Sequence, residues 1–334
     1  MKKRIDNPKR TRRFSTQTTF LVAVVVGGCL VFSYIFWTDR GSGDDKHASQ
    51  LQLNQIPFNG TRAYGYLKQL CEIGPRRSGS PGMAAQQKLL EEHFRKRGGQ
   101  VRWQRFETEH PENGSKVPIA NLIVHWHPQR TERVLLCTHY DTLPFPMLDP
   151  KNKRGRFVGA NDGASGVAVL MELANEMPKL NCKYGVDFVL FDAEEFLFRE
   201  DGRFFIGSEH FARQYVSNPP TYRYRFGVLL DMIGDKDLRI YQESYSMSWD
   251  DSRPLVKELW ATADRLGVQE FVAQRGDWIR DDHVSLHEIA GIPCCNIIDF
   301  DYPPWHTQND VPEMCSPLSL AKVGWVIREW LREE

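Results

Sequence analysis

The chain has 334 residues, with 43 Lys+Arg against 43 Asp+Glu, 41% apolar side chains and 26% charged ones. That length buries a full core as one large domain or two small ones, and the composition excludes a wholly disordered chain. Net charge zero excludes a nucleic-acid binder that works by bulk charge. The charge is nevertheless uneven: residues 1–40 hold eight basic and two acidic side chains, which leaves 35 basic and 41 acidic in a mildly acidic remainder.

In chain order, a basic tail over residues 1–19 precedes 18 uncharged, mostly apolar residues at 20–37, with Asp39 just beyond. Such a span sits at the short end of what crosses a bilayer. By the positive-inside rule it predicts a single-pass transmembrane signal anchor, its N-terminus cytoplasmic and the body periplasmic, extracellular or lumenal. A cleaved signal peptide fits less well, because residues 33–37 are bulky where signal peptidase needs small side chains. Phe36 and Trp37 suit an interfacial aromatic belt. Residues 38–54, rich in Gly, Asp, Ser and Gln, read as a linker, and 55–334 as a folded body.

Within the body, Ser80 and Pro81 predict an N-cap and first helical position, opening a helix to about Arg97. Residues 101–106 alternate as a strand does. Short apolar runs follow at 121–127 and 134–138, a helical period at 164–176, and further apolar runs at 186–191 and 226–231. Residues 253–266 and 318–331 read as helices, 294–298 as a strand, and 202–224 as loop-rich. Strands alternating with helices predict an α/β sandwich with a mostly parallel sheet. Of the cysteines, Cys29 falls in the apolar span, while Cys137, Cys294 and Cys295 fall in strand-like runs and read as buried free thiols. Without a C-x-x-C pair, a cysteine zinc site is not expected.

Parallel sheets place ligands beyond the carboxyl ends of their strands. After the run 134–138 come His139 and Asp141, two ligand-type side chains on one face, the second suited to orienting the first. Asp162 stands in a glycine-flanked turn before a helix, where an N-cap is the plainer reading. Glu194 and Glu195 follow the run ending at Phe191. Two carboxylates there are costly unless a cation neutralises one, and the other is then free to move protons. Asp231 ends another run. Asp281 and Asp282 open a helix, and capping accounts for only one of them. His306, beside Trp305 in a proline-stiffened loop, follows the strand 294–298. Taken singly, each has a structural reading. Together they are the nitrogen and oxygen ligand types of zinc.

The order His139-x-Asp141, Asp162, Glu194-Glu195, Asp231, His306 resembles the zinc-exopeptidase superfamily, which includes di-zinc aminopeptidases and zinc-type glutaminyl-peptide cyclotransferases. The resemblance covers about residues 55–333 and implies a three-layer α/β/α sandwich with a mixed, mostly parallel central sheet as the catalytic domain. The segments 229–234, 281–283 and 305–307 look more like the cyclotransferases. In that family the residues matching Asp162, Glu195 and His306 hold one zinc, the one matching Glu194 moves protons, those matching Asp231 and Asp281 form an acidic arrangement beside it, and the one matching Trp305 contacts the substrate. In the aminopeptidases the residues matching His139 and Asp231 hold a second zinc. The animal cyclotransferases carry a disulfide beside the His-x-Asp strand, a tryptophan soon after the paired glutamates and a histidine where Asn296 falls. This chain lacks all three, which suits a bacterial-type member. The resemblance implies peptide or protein N-termini as substrates, with N-terminal glutamine cyclised to pyroglutamate and ammonia released. One zinc is expected for that activity and two for an aminopeptidase.

Overall fold

The computed structural model describes residues 49–198 and 202–333. The tail, the anchor reading of 20–37 and the linker up to residue 48 therefore lie outside the described residues. Among the described residues, no helix is long and apolar enough to cross a membrane. The end of the predicted linker is docked on the body: Leu51 and Leu53 pack on the core, and Ser49 donates from its backbone N–H (2.9 Å) and hydroxyl (3.2 Å) to Glu270.

The strands are β1 (Gln100–Glu109), β2 (Lys116–Trp126), β3 (Glu132–His139), β4 (Gly185–Phe191), β5 (Arg223–Asp231), β6 (Ile240–Gln242), β7 (Phe271–Arg275) and β8 (Cys294–Ile298). Six of them form one sheet in the order β1-β2-β4-β3-β5-β8, and β6 pairs with β7 apart from it. The pairs β1–β2 and β2–β4 are antiparallel, and β4–β3, β3–β5 and β5–β8 are parallel. The sheet is thus mixed and mostly parallel, as its apolar runs predict.

Helices cover both faces. On one lie α1 (Gly60–Ile73), α2 (Pro81–Lys96), α3 (Ser165–Leu173), α6 (Arg253–Arg265) and α8 (Pro317–Glu333). On the other lie α4 (Ile206–Ser217) and α7 (Asp282–Ala290), with a short α5 (Ser244–Ser248) near the sheet edge at β8. Alternation along a strand serves both layers: on β3, Val134 and Leu136 join the first core, and Leu135 and Cys137 the second. Each such fully buried aliphatic side chain contributes roughly 1.5–3 kcal/mol. The six cysteines among the described residues are buried and free. Ser80 caps α2 by accepting from Met83 N–H at 3.2 Å, with Pro81 in the first turn.

The segment 202–224 is not loop-rich as its sequence suggests, because it contains α4. Its N-cap is Phe205, which offers no side-chain cap, so the usual start signal is missing. Ile206, Phe211 and Ala212 are its buried apolar face; the polar remainder hides the period. The helix α1 is likewise unassigned by the patterning above.

The parallel registers set His139 level with Phe191, and Asp231 level with Ile298. The carboxyl ends of β3, β4, β5 and β8 therefore open along one side of the sheet.

Candidate active site

Each of these strand ends delivers a polar group. His139 closes β3, and Asp141 lies two residues on. Asp141 accepts from the backbone N–H groups of Glu194 (3.1 Å) and Glu195 (3.0 Å). Its Oδ1 stands 3.7 Å from His139 Nδ1, beyond hydrogen-bond range. Asp141 thus fastens the loop after β4 while its carboxylate stays beside the His139 ring. A buried turn needs acceptors for its N–H groups, and this carboxylate supplies two.

After β4, Asp192 is tied to Ser78 Oγ (2.6 Å) and to the N–H of Ala120 (2.9 Å). Ala193 then takes a left-handed conformation, φ 59°. This twist lets adjacent Glu194 and Glu195 face the same cavity, where an extended chain would send them opposite ways. Asp162 sits in the turn before α3. Gly163 there has φ 90°, and a Cβ on it would meet the Asp141 carbonyl oxygen at 2.3 Å, so the turn requires glycine.

Asp310 holds that turn from behind. It accepts from Asn161 N–H (2.8 Å) and the Tyr302 hydroxyl (2.8 Å) on Oδ1, and from Asp162 N–H (3.1 Å) on Oδ2. Neither Asp310 nor Tyr302 stands out in the sequence. Asp310 follows Gln308 and Asn309 in a stretch that reads as surface, and only the fold buries it.

Asp162, Glu195 and His306 converge, their ligand atoms all within 4.8 Å of one another. His306 Nε2 lies 2.8 Å from Glu195 Oε1 and 3.5 Å from Asp162 Oδ2. The second oxygen of Glu195 accepts from Leu143 N–H at 2.8 Å. Asp162 Oδ2 is buried without a hydrogen-bond partner, an orphan that a cation would satisfy. Burial, then repulsion from Glu195, pushes Asp162 up to about 7, and burial pushes Glu195 up to about 8. Two carboxylates that repel one another, with an imidazole beside them, fit a divalent ion of zinc's preferences.

His139, Asp162 and Asp231 make a second cluster, and His139, Glu194 and Glu195 a third. His139 Nε2 is 3.1 Å from both Asp162 Oδ1 and Asp231 Oδ1. Glu194 is held well above the ordinary carboxylate range by burial, with the repulsion of Glu195, Asp282 and Asp281 added. Asp281 is the N-cap of α7. It accepts from Asp282 N–H (2.6 Å) and from the Asn296 amide (2.9 Å), and it belongs to none of the three clusters.

Asp162, Glu194, Glu195, Asp231, Asp281 and His306 line a cavity of about 400 Å³. Its apolar wall includes Met232, Trp278, Ile298, Phe300 and Trp305. Trp305 stacks on His306, ring centroids 4.0 Å apart. Besides Ala193, three further non-glycine residues at this cavity have left-handed backbones: Phe205 (φ 62°), Met232 (φ 46°) and His306 (φ 56°).

The sequence profile described as Peptidase family M28 matches residues 121–331. Among solved structures, Fimbriiglobus ruber glutaminyl cyclase superposes with a TM-score of 0.80 at 38% identity, over 88% of this chain and 100% of that one. Aminopeptidase YwaD of Bacillus subtilis (strain 168) is 29% identical over 57% of this chain. A glutaminyl-peptide cyclotransferase of Bos taurus is 25% identical over 64% of it. The matches span only 38% of that aminopeptidase's length and 66% of that cyclotransferase's.

Proposed function

The chain belongs to peptidase family M28, and on that premise we propose that it is a zinc-dependent glutaminyl-peptide cyclotransferase, turning the N-terminal glutamine of peptides into pyroglutamate. Asp162, Glu195 and His306 would hold one zinc, which supplies Lewis-acid polarisation of the γ-carbonyl when bound. In the reaction the α-amine nitrogen attacks the side-chain amide carbon. A C–N bond forms, the bond to the amide nitrogen breaks, and ammonia leaves. Glu194 takes the proton from the attacking amine and returns it to the departing nitrogen. Burial raises its proton affinity, which strengthens it as the acceptor of the amine proton. Asp231 and Asp281 orient the amine and the leaving group. Trp305 packs against the folded side chain and keeps water away, which favours attack by the tethered amine.

The observation that carries this reading is Asp281. A hydrolase with Glu194 as its base needs no further acid, yet here a buried carboxylate outside every metal cluster lines the same cavity. The second reading, a di-zinc aminopeptidase, is favoured by the cluster His139, Asp162 and Asp231, which offers a second ion a place. A titration of metal-free protein with zinc separates the two. Ammonia release from a glutaminyl dipeptide should saturate at about one equivalent, as a three-ligand site implies. Activity that waits for the second equivalent, or leucine freed from a leucyl peptide without ammonia from the glutaminyl one, refutes the cyclase.

A further inference from the structure

Asp281 rides on a stretch without regular structure, residues 276–281, between β7 and α7. Such a stretch does not hold a carboxylate in place unaided. What it rests on is the segment 243–246. Ser244 N–H donates to Asp277 O (3.0 Å) and Ser244 Oγ to Gly276 O (2.7 Å). The centre of this bed is Glu243, which is 1% exposed.

Both oxygens of Glu243 are filled. Oε1 accepts from Tyr245 N–H (2.6 Å) and Ile279 N–H (3.2 Å). Oε2 accepts from Ser246 N–H (2.8 Å), Ser246 Oγ (2.8 Å) and His283 Nε2 (3.1 Å). Ile279 lies two residues before Asp281 and His283 two residues after, so one carboxylate grips the chain on either side. Ser246 carries the connection further: its Oγ accepts from Asn296 N–H at 3.1 Å, and the Asn296 amide donates to Asp281 Oδ2 at 2.9 Å. Ser246, His283 and Asn296 are each 0% exposed. Three separate routes thus run from Glu243 to Asp281.

We infer that Glu243 is a positioning residue for the reaction, setting the place of Asp281 in the cavity without touching substrate. The five donors explain why the residue is an acid. An ionised carboxylate is acceptor-only at both oxygens. An amide turned either way would set its NH₂ against two or three donors. The inference rests on the proposed role of Asp281, and its test keeps the two apart.

The test is a double-mutant cycle on the zinc-loaded full chain, with Glu243→Gln, Asp281→Asn and the double variant. It follows kcat and KM for ammonia release from a glutaminyl dipeptide, together with zinc per chain and Tm. Glu243→Gln should keep its zinc and lose about tenfold or more in kcat, the scale of a displaced reactive group, with KM little changed. In the Asp281→Asn background the same change should cost almost nothing, because its route to the chemistry is already cut. Equal losses in both backgrounds would make Glu243 a merely structural residue, and an unchanged kcat in Glu243→Gln would overturn the inference outright. If Glu243→Gln does not fold, Ser246→Ala replaces it: that variant removes the hydroxyl that joins Glu243 to Asn296, leaves the Ile279 and His283 routes, and should show the same non-additivity. Full activity in Asp281→Asn alone would refute the role of Asp281 and show the fault to lie in that earlier reading.

Discussion

Asp310→Asn is the sharpest probe of how the metal ligands are held. In the native chain Asp310 meets three donors: Asn161 N–H and the Tyr302 hydroxyl on one oxygen, Asp162 N–H on the other. An asparagine keeps the shape but has a single acceptor. With its oxygen toward Asn161 and Tyr302, its NH₂ faces the N–H of Asp162, and that donor is left buried and unpaired. A lost partner of this kind costs about 1–3 kcal/mol. The cost falls on the backbone of a proposed zinc ligand, so it should appear as weaker zinc binding by about 10–100-fold, the range for residues that support metal ligands. The assay is competition for zinc against a chromophoric chelator, with circular dichroism to verify the fold. Zinc affinity within twofold of the parent, in a folded variant, would refute the reasoning: either Asp162 is no ligand or its placement does not depend on Asp310.

Three further outcomes follow from the same geometry. Glu194→Gln should retain zinc and lose roughly a hundredfold or more in rate, whereas His306→Ala should lose most of its zinc; zinc loss in the first variant would assign Glu194 to the metal. The metal-free protein should grow less stable as pH rises. Asp162 and Glu195 have native values pushed up to about 7 and 8, so the folded state binds more protons than the unfolded one between about pH 4 and 8. Its Tm in chelator should therefore fall from pH 5 to pH 8 and the fall should shrink with zinc present; a Tm that rises over that window in chelator would contradict the burial argument.

The legible parts of this molecule are those in which one local rule dominates. Strands buried on both faces read as largely apolar runs, so β3, β4, β5 and β8 and the groups just beyond them were visible at once. Asp162, with Gly163 and Gly166 beyond it, announced a tight turn, and the turn is there. What escaped depends on partners far along the chain. Asp310 matters because of Asn161, 149 positions earlier. The work of Asp141 shows only once the loop after β4 folds over it. Glu243 looks like any acid before a serine-rich stretch until Ile279 and His283 close around it. The helix α4 escaped because the residue at its N-cap, Phe205, has no capping side chain.

The left-handed backbones at Ala193, Phe205, Met232 and His306 bear on how this protein could be made more robust. A side chain in that conformation costs on the order of 1–2 kcal/mol per residue against the right-handed alternative. The most accessible reserve of extra stability is therefore concentrated around the reactive cavity. An engineer relaxing these positions, for instance by placing glycine at Met232, would free the backbone while removing part of the cavity wall. Selection for heat tolerance alone would be drawn to these four residues, and selection for turnover would reject the same changes. Improvements compatible with activity belong instead away from the cavity, where a change leaves its wall untouched.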